Sequence, residues 1–399
     1  MNINEKVAYC LSCPKPRCET ACPTGNHICS WIALCKQGKE EEAAKLLYAT
    51  NPFPEITSRV CDHFRQCQGA CIRGIKGEPV SIPDIEYHLS SYPWPYQRKS
   101  PNGKKIALIG AGIGNLTAAV FLLQEGFEVD IYEKESALGG AILTGIPSFR
   151  FSKECLTSIK KKMDELGANF IFNKEIRPED IPVLQKDYDE AVFGIGANKE
   201  NLGGATLSKD VVSGLDLLRD LNLGLKQIEY KYYQKAYVWG GGNVAIDCAR
   251  SLVRLLPNVN ILYRRSQKEM PANKKEIEEA LEEGVKLNVL TNLKQLRYDE
   301  DGKLIGATFV KMGLGEPDAS GRASFYEIEG SEFEEQFDLF VLAIGEKSSI
   351  GNYAESDGTP LLKNGCYVLG DARYGAKNVA SAICDGRKLA EEILKKYEN

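Results

Sequence analysis

Seven cysteines near the N-terminus stand at spacings suited to binding metal. The first run is Cys10-x2-Cys13-x4-Cys18-x3-Cys22-Pro23, and the second is Cys61-x5-Cys67-x3-Cys71. Thiolates at such intervals can wrap one cubane while the last of the run reaches a second cluster. Zinc is the rival, because Cys-x2-Cys is also half of a zinc site; purely structural thiols are the third reading. Seven thiolates fit two four-ligand clusters with one non-cysteine ligand better than they fit all-thiolate zinc sites. Nine of the 13 cysteines lie in the first 71 residues, whereas Cys155, Cys248, Cys366 and Cys384 are scattered over the rest. A disulfide framework is a poor reading of so long a chain, whose N-terminus, Met-Asn-Ile-Asn-Glu-Lys, carries no apolar secretory run. Cys29 and Cys35 lack ligand-like spacing and are expected as buried thiols.

Two glycine motifs could hold phosphates. Lys104-Lys-Ile-Ala-Leu-Ile109 reads as a buried strand leading into Gly110-Ala-Gly112-Ile-Gly114-Asn115, and the next strand, Glu128 to Tyr132, ends at Glu133, 21 residues beyond Gly112. A tight turn, a helix N-terminus for a pyrophosphate and an acid for a ribose hydroxyl make a dinucleotide site. Asn115 stands where a third glycine is usual. The second motif is Gly240-Gly241-Gly242-Asn243-Val244-Ala245, after the strand Ala236 to Trp239; the next strand, Val259 to Tyr263, ends in Arg264-Arg265. Arginines at the ribose position suit a 2′-phosphate, and hence NADPH, where an acid would repel it. The competing reading is a solvated strand end. Two such sites in one chain suggest a flavin and a nicotinamide exchanging a hydride. Gly365 to Gly370 reads as a strand ending in Asp371, with a helix from Ala380 to Lys395. That acid could accept from a ribityl hydroxyl, or be an ordinary residue beside a helix.

The elements that must position these residues are legible. Ser30 to Tyr48 reads as helical with a break at Gly38. Tyr92-Pro-Trp-Pro-Tyr96 and Ser100-Pro-Asn-Gly103 mark a boundary near residue 100. Ile106 to Leu123 is apolar enough to imitate a membrane span, but its three glycines fit a strand–turn–helix better. Strands ending at Gly196 and Gly345 sit at expected crossovers between domains. The chain has 399 residues and a formal charge of −5, which argues against nucleic-acid binding. A cytoplasmic protein with no membrane span is expected.

Together these motifs resemble the small (beta) subunit of NADPH-dependent glutamate synthase and its relatives, including the N-terminal half of dihydropyrimidine dehydrogenase. The resemblance also rests on Ala49-Thr-Asn-Pro-Phe-Pro54, Arg59-Val-Cys61, Gly139-Gly140, Gly145-Ile-Pro-x-Phe-Arg150, Tyr263-Arg-Arg-Ser266, Glu269-Met-Pro271 and Gly370-Asp371. It implies an α/β protein: a helical double [4Fe–4S] domain at 1–100, an FAD domain at 101–205 and 340–399, and an NADPH domain inserted at 206–339. Both nucleotide domains would be Rossmann-like. One cluster would use Cys10, Cys13, Cys18 and Cys71; the other would use Cys22, Cys61 and Cys67 with Glu86. FAD would be held by Gly110, Gly112, Gly114, Asn115, Glu133, Gly140, Arg150, Gly370, Asp371, Val379 and Ala380. NADPH would be held by Gly240, Gly242, Asn243, Val244, Ala245, Arg264 and Arg265. Three departures from the family pattern stand out: Asn115, Asp62 after Cys61, and Gly194-Ile-Gly196 in place of Ala-Thr-Gly.

The implied activity is an electron-input module passing electrons from NADPH through FAD and the clusters to an acceptor. No catalytic side chain is required, and the three histidines, His27, His63 and His88, all lie in the cluster domain. The acceptor would be a large catalytic subunit in a hetero-oligomer, of the glutamate synthase alpha or dihydropyrimidine dehydrogenase type, or a ferredoxin-type carrier. The alternatives are the small subunit of a two-subunit dihydropyrimidine dehydrogenase and a non-catalytic scaffold or redox-sensing subunit.

Overall fold

Short helices hold the N-terminal hundred residues together through a shared core, since helices this short are marginal alone. In the computed structural model, which describes residues 1–197, 199–317, 321–348, 350, 354–356, 359–361 and 365–398, helix α1 (Ile3–Tyr9) opens with a capping box between Asn2 and Glu5. It is followed by α2 (Arg17–Thr20), α3 (Ile28–Lys36), α4 (Glu40–Tyr48), α5 (Pro54–Val60) and α6 (Ile82–Leu89). The expected break at Gly38 separates α3 from α4, with φ 73° at that glycine. Trp31, Ile32, Leu47, Tyr48, Ile85 and Leu89 meet in one core. Each such buried side chain contributes about 1.5–3 kcal/mol.

The next segment alternates strand and helix: β1 (Lys105–Ile109), α7 (Ile113–Gln124) and β2 (Glu128–Tyr132), then α8 (Ala141–Thr144), α9 (Glu154–Leu166), β3 (Asn169–Ile171), α10 (Ile181–Asp187) and β4 (Glu190–Phe193). β1 pairs in parallel with β2 and with β4. The apolar stretch from Ile106 is thus a strand and a buried helix. No helix among the described residues is long and apolar enough to cross a membrane.

A second unit follows. It contains β5 (Lys199–Glu200), β6 (Val211–Ser213), α11 (Gly214–Asn222), α12 (Gln227–Tyr230), β7 (Lys235–Trp239), α13 (Asn243–Leu252), β8 (Asn258–Tyr263), α14 (Lys274–Glu282) and β9 (Lys286–Val289). Strands β10 (Thr291–Tyr298), β11 (Leu304–Pro317), β12 (Ala323–Glu327), β13 (Phe333–Gln336), β14 (Leu339–Leu342) and β15 (Glu346–Lys347) complete it. The parallel sheet has the order β6-β14-β7-β8-β9, and β10, β11, β12 and β13 form an antiparallel sheet. The chain then returns with β16 (Ala354–Ser356), β17 (Thr359–Leu361), β18 (Tyr367–Val368), α15 (Asp371–Tyr374) and α16 (Val379–Tyr397), completing a first sheet of order β16-β17-β18-β4-β1-β2-β3.

By contact the chain divides into Met1–Leu143 with Phe149–Asn198 and Ser348–Asn399, and Thr144–Ser148 with Lys199–Lys347. The crossovers therefore fall near 199 and 347, close to Gly196 and Gly345 and a few residues from the expected domain bounds of 205 and 340. The reason is hydrogen bonding: β14 pairs with β6 and β7, and β5 pairs with β15.

Candidate cluster and dinucleotide sites

Cys10, Cys13, Cys18 and Cys71 line one pocket in the helical module. Cys10 ends α1, Cys18 lies on α2, and Cys71 starts a short 3-10 helix, Ile72–Ile75. The Lys36 ammonium fixes the turn between the first two cysteines by donating to the Cys10 carbonyl (2.6 Å) and to Ser12 Oγ (3.0 Å). Cys22, Cys61, Cys67 and Glu86 line a second pocket. Ile28 and Ile82 line both, so the pockets share an apolar wall. Glu86 is buried on α6, and its Oε1 accepts from Thr57 Oγ1 (2.7 Å) and Asn51 Nδ2 (3.0 Å). Among the described residues no three His, Cys, Asp or Glu side chains close around a single ion.

Burial favours the neutral form of several of these donors. Burial, then repulsion from Cys29, raises the Cys18 thiol. Burial, then the Glu86 carboxylate, raises Cys61 and Cys67, and burial pushes Glu86 itself up to about 7. Ligands must be deprotonated to bind metal, and only a cationic core makes such a crowd of anions favourable. The thiolate-rich donor set fits an iron–sulfur cluster.

The first glycine turn is built by close approach. Gly110 has φ 96°, and a Cβ there would stand 2.7 Å from the Gly194 carbonyl. Gly139 pairs with Gly112 as an isolated bridge, and a Cβ on Gly140 would stand 3.0 Å from Gly112 Cα. Glu133 braces the turn: its carboxylate accepts from the Ala111 N–H (2.7 Å) and the Glu135 N–H (2.9 Å). Burial raises this carboxyl while the two N–H bonds oppose the shift. Asn115 is wholly buried, and its Nδ2 donates to the carbonyls of Ile109 (2.8 Å) and Gly110 (2.7 Å). Gly114 does the packing expected of the third glycine, since a Cβ there would stand 2.6 Å from Leu369 Cδ1. Asp371 opens α15 and accepts from the Lys377 N–H (3.1 Å). Val379 and Ala380 open α16, and Ala380 also lines the second cluster pocket. Arg150 is half-buried beyond α8. This cradle of glycines, brace and helix starts fits a dinucleotide such as FAD.

The second turn repeats the design. A Cβ on Gly240 would collide with the Ala343 carbonyl, whereas one on Gly242, which caps α13, would meet open space. Ala245 is buried under the turn and Val244 is half-buried. Asn243 Oδ1 accepts from the Asn273 N–H (3.0 Å), tying down the loop after Pro271. Arg264 and Arg265 differ. Arg264 is exposed and stands over the Phe325 ring at 4.3 Å, and partial desolvation of its guanidinium, then the charges of Arg265 and Arg322, lower its pKa. Arg265 is 4% exposed, and its Nε donates to the Ala323 carbonyl (2.6 Å). The open glycine and the cationic strand end fit NADPH.

Two residues escaped the sequence reading. Cys29, expected as an ordinary buried thiol, lines the first cluster pocket. Cys35 is buried as expected. Arg322 joins the arginine pair only because the antiparallel sheet returns it there; nothing in its local sequence marks it.

Comparison with known proteins agrees with this architecture. Residues 2–97 match the family described as dihydropyrimidine dehydrogenase domain II, 4Fe-4S cluster, and residues 104–374 match pyridine nucleotide-disulphide oxidoreductase. The chain is 32% identical to AegA of Escherichia coli K12, named an oxidoreductase, over 98% of its own length but only 65% of AegA's. It is 30% identical to the NADPH glutamate synthase small chain of the same strain, covering 96% of this chain and 89% of that one. Mycobacterium tuberculosis FprA, solved in complex with NADPH, shares the fold at TM-score 0.61 and 17% identity, over 74% of this chain and 84% of FprA.

Proposed function

Because the chain belongs to the pyridine nucleotide-disulphide oxidoreductase family, with the NADPH glutamate synthase small chains among its relatives, and is an NADPH-dependent flavin iron–sulfur oxidoreductase, we propose that it feeds electrons from NADPH through two [4Fe–4S] clusters to a partner subunit. FAD at the first glycine turn would supply the conversion of a hydride into single electrons.

The chain's own residues bind and orient. Gly110, Gly112, Gly114, Gly140 and Glu133 shape the FAD turn, and Gly370, Asp371, Val379 and the half-buried Arg150 complete the surround. Gly240, Gly242, Val244 and Ala245 shape the NADPH turn, with Asn243 holding its neighbouring loop and Arg264 reading the 2′-phosphate. Cys22, Cys61, Cys67 and Glu86 hold the cluster nearer the flavin; Cys10, Cys13, Cys18 and Cys71 hold the farther one. The observation that carries this order is Ala380, which opens α16 beside the Gly370-Asp371 turn and also lines the second pocket. From there the Ile28–Ile82 wall leads to the first pocket.

The named relative is a small chain, which supports an acceptor on a larger subunit of the glutamate synthase alpha type. Anaerobic affinity purification from the native host tests this. A stoichiometric large subunit is expected, whereas recovery of the chain with only a small ferredoxin-type protein would overturn the large-subunit reading.

A further inference from the structure

A tryptophan N–H shut away from water needs an acceptor. Of the chain's three tryptophans, Trp94 donates to the Pro52 carbonyl (2.9 Å) and Trp239 to Asn292 Oδ1 (3.1 Å). Trp31 is 1% exposed, and its Nε1 has no partner among the described residues. It lines the second pocket together with Cys22, Cys61, Cys67 and Glu86. We propose that the Trp31 indole donates a hydrogen bond to a sulfur of the cluster held there and raises its midpoint potential. The proposal rests on the two-cluster reading above.

Placement and pairing both favour that acceptor. Ile28 and Trp31 stand three residues apart on α3, the spacing of one helix face, and both line the pocket. The Glu19 carboxylate holds the start of α3 by accepting from the Cys29 N–H (2.8 Å). Other polar side chains of the wall are engaged: Thr24 Oγ1 with Cys22 Sγ (3.0 Å), Asn26 Oδ1 with Thr50, and Asn51 and Thr57 with Glu86. Among the described residues, Trp31 carries the one side-chain nitrogen or oxygen of this lining that is buried without a partner. A neutral thiol accepts weakly, whereas an iron-bound thiolate or sulfide carries negative charge and accepts well.

Reduction adds negative charge to the sulfurs and strengthens such a bond, so the donor favours the reduced cluster. Trp31 thereby opposes Glu86, whose carboxylate lowers the same potential. No side chain lining the first pocket offers a buried, unpartnered N–H among the described residues, so the effect is confined to one cluster.

The test uses full-length holoprotein prepared anaerobically, with 3-benzothienylalanine in place of Trp31; this isostere carries sulfur where the indole has N–H. Wild type should hold about eight iron per chain, as two cubanes require; about four would instead remove the two-cluster reading beneath this one. Given eight, the isostere should keep its iron and flavin. Redox titration followed by electron paramagnetic resonance should find one cluster about tenfold harder to reduce, a fall of about 59 mV for a one-electron couple. That cluster should be the one that Glu86→Gln moves in the opposite direction. Two unmoved potentials, two that fall together, or a shift in the cluster that Glu86→Gln leaves alone would overturn the proposal. Wild type supplies a readout that needs no variant to fold. With nitrogen-15 in the indole rings, hyperfine spectra of the reduced protein should carry a nitrogen-15 coupling to one cluster, and its absence would equally overturn it.

Discussion

The Asn115 side chain occupies the space that a side chain at residue 194 would need: a Cβ on Gly194 would stand 2.7 Å from the Asn115 amide. Asn115 and Gly194, two of the departures from the family pattern, are therefore one fitted pair. The asparagine adds two bonds to the strand-end carbonyls at 109 and 110, and Gly194 makes the room.

Gly194→Ala should accordingly destabilise the FAD turn by about 1–3 kcal/mol, the usual cost of overpacking. Asn115→Gly combined with Gly194→Ala should regain most of that loss. Flavin content and thermal unfolding of the two single variants and the double variant measure the coupling. Strictly additive losses would contradict the fitted-pair account.

Arg264 and Arg265 should separate into a reader and a clamp. Arg264→Ala should weaken NADPH by about 10- to 100-fold, the worth of charge-assisted hydrogen bonds to a phosphate, and leave NADH nearly unchanged. Arg265→Ala should chiefly lower stability, since it releases the Ala323 carbonyl. Michaelis constants for the two nucleotides check both, and equal losses of NADPH and NADH in Arg264→Ala would contradict the assignment.

Glu86 should behave as a ligand with a replaceable charge. Glu86→Gln keeps an oxygen able to accept from Thr57 and Asn51, so the cluster should persist with a higher midpoint potential, because one negative charge is gone. Glu86→Ala should lose about half the iron. Unchanged iron in Glu86→Ala would make the carboxylate a bystander.

Glu283 gives the second unit a pH dependence. Hydrogen bonds from Arg254 and Arg250 hold its carboxyl down at about 2, against about 4.3 in an unfolded chain. Folding favours the ionised form, so this stability is complete above about pH 5 and is lost as pH falls through the interval. The stability gap between wild type and Glu283→Gln should be constant from pH 7 to 5 and shrink below. Comparing the two cancels the acid lability that both share, and a gap that stays constant below pH 5 would contradict the pairing.

The candidate thiols were legible because cysteine spacing is a local signal, and counting seven already asked for an eighth ligand; their division into two sets came from the resemblance. Glu86 answered through resemblance, but the Asn51 and Thr57 donors that orient it came only from packing. The place of Cys29 beside the first pocket was not legible because its neighbourhood is made by a tertiary contact, the Glu19 carboxylate accepting from the Cys29 N–H. Arg322 was missed for the same reason, since it reaches Arg264 across strands. The strands expected to end at Gly196 and Gly345 stop at Phe193 and Leu342, a few residues short of those glycines. They could not say which sheet β14 joins, because its burial pattern suits either, and its pairing with β6 and β7 decides that.

The most direct test of the central claim is an anaerobic titration with regenerated NADPH, followed by absorbance and low-temperature electron paramagnetic resonance. The account predicts that flavin and part of the iron–sulfur absorbance bleach together, with reduced-cluster signals that vanish in Glu86→Ala before those of the farther cluster can form. A flavin that bleaches fully while every cluster stays oxidised would contradict it.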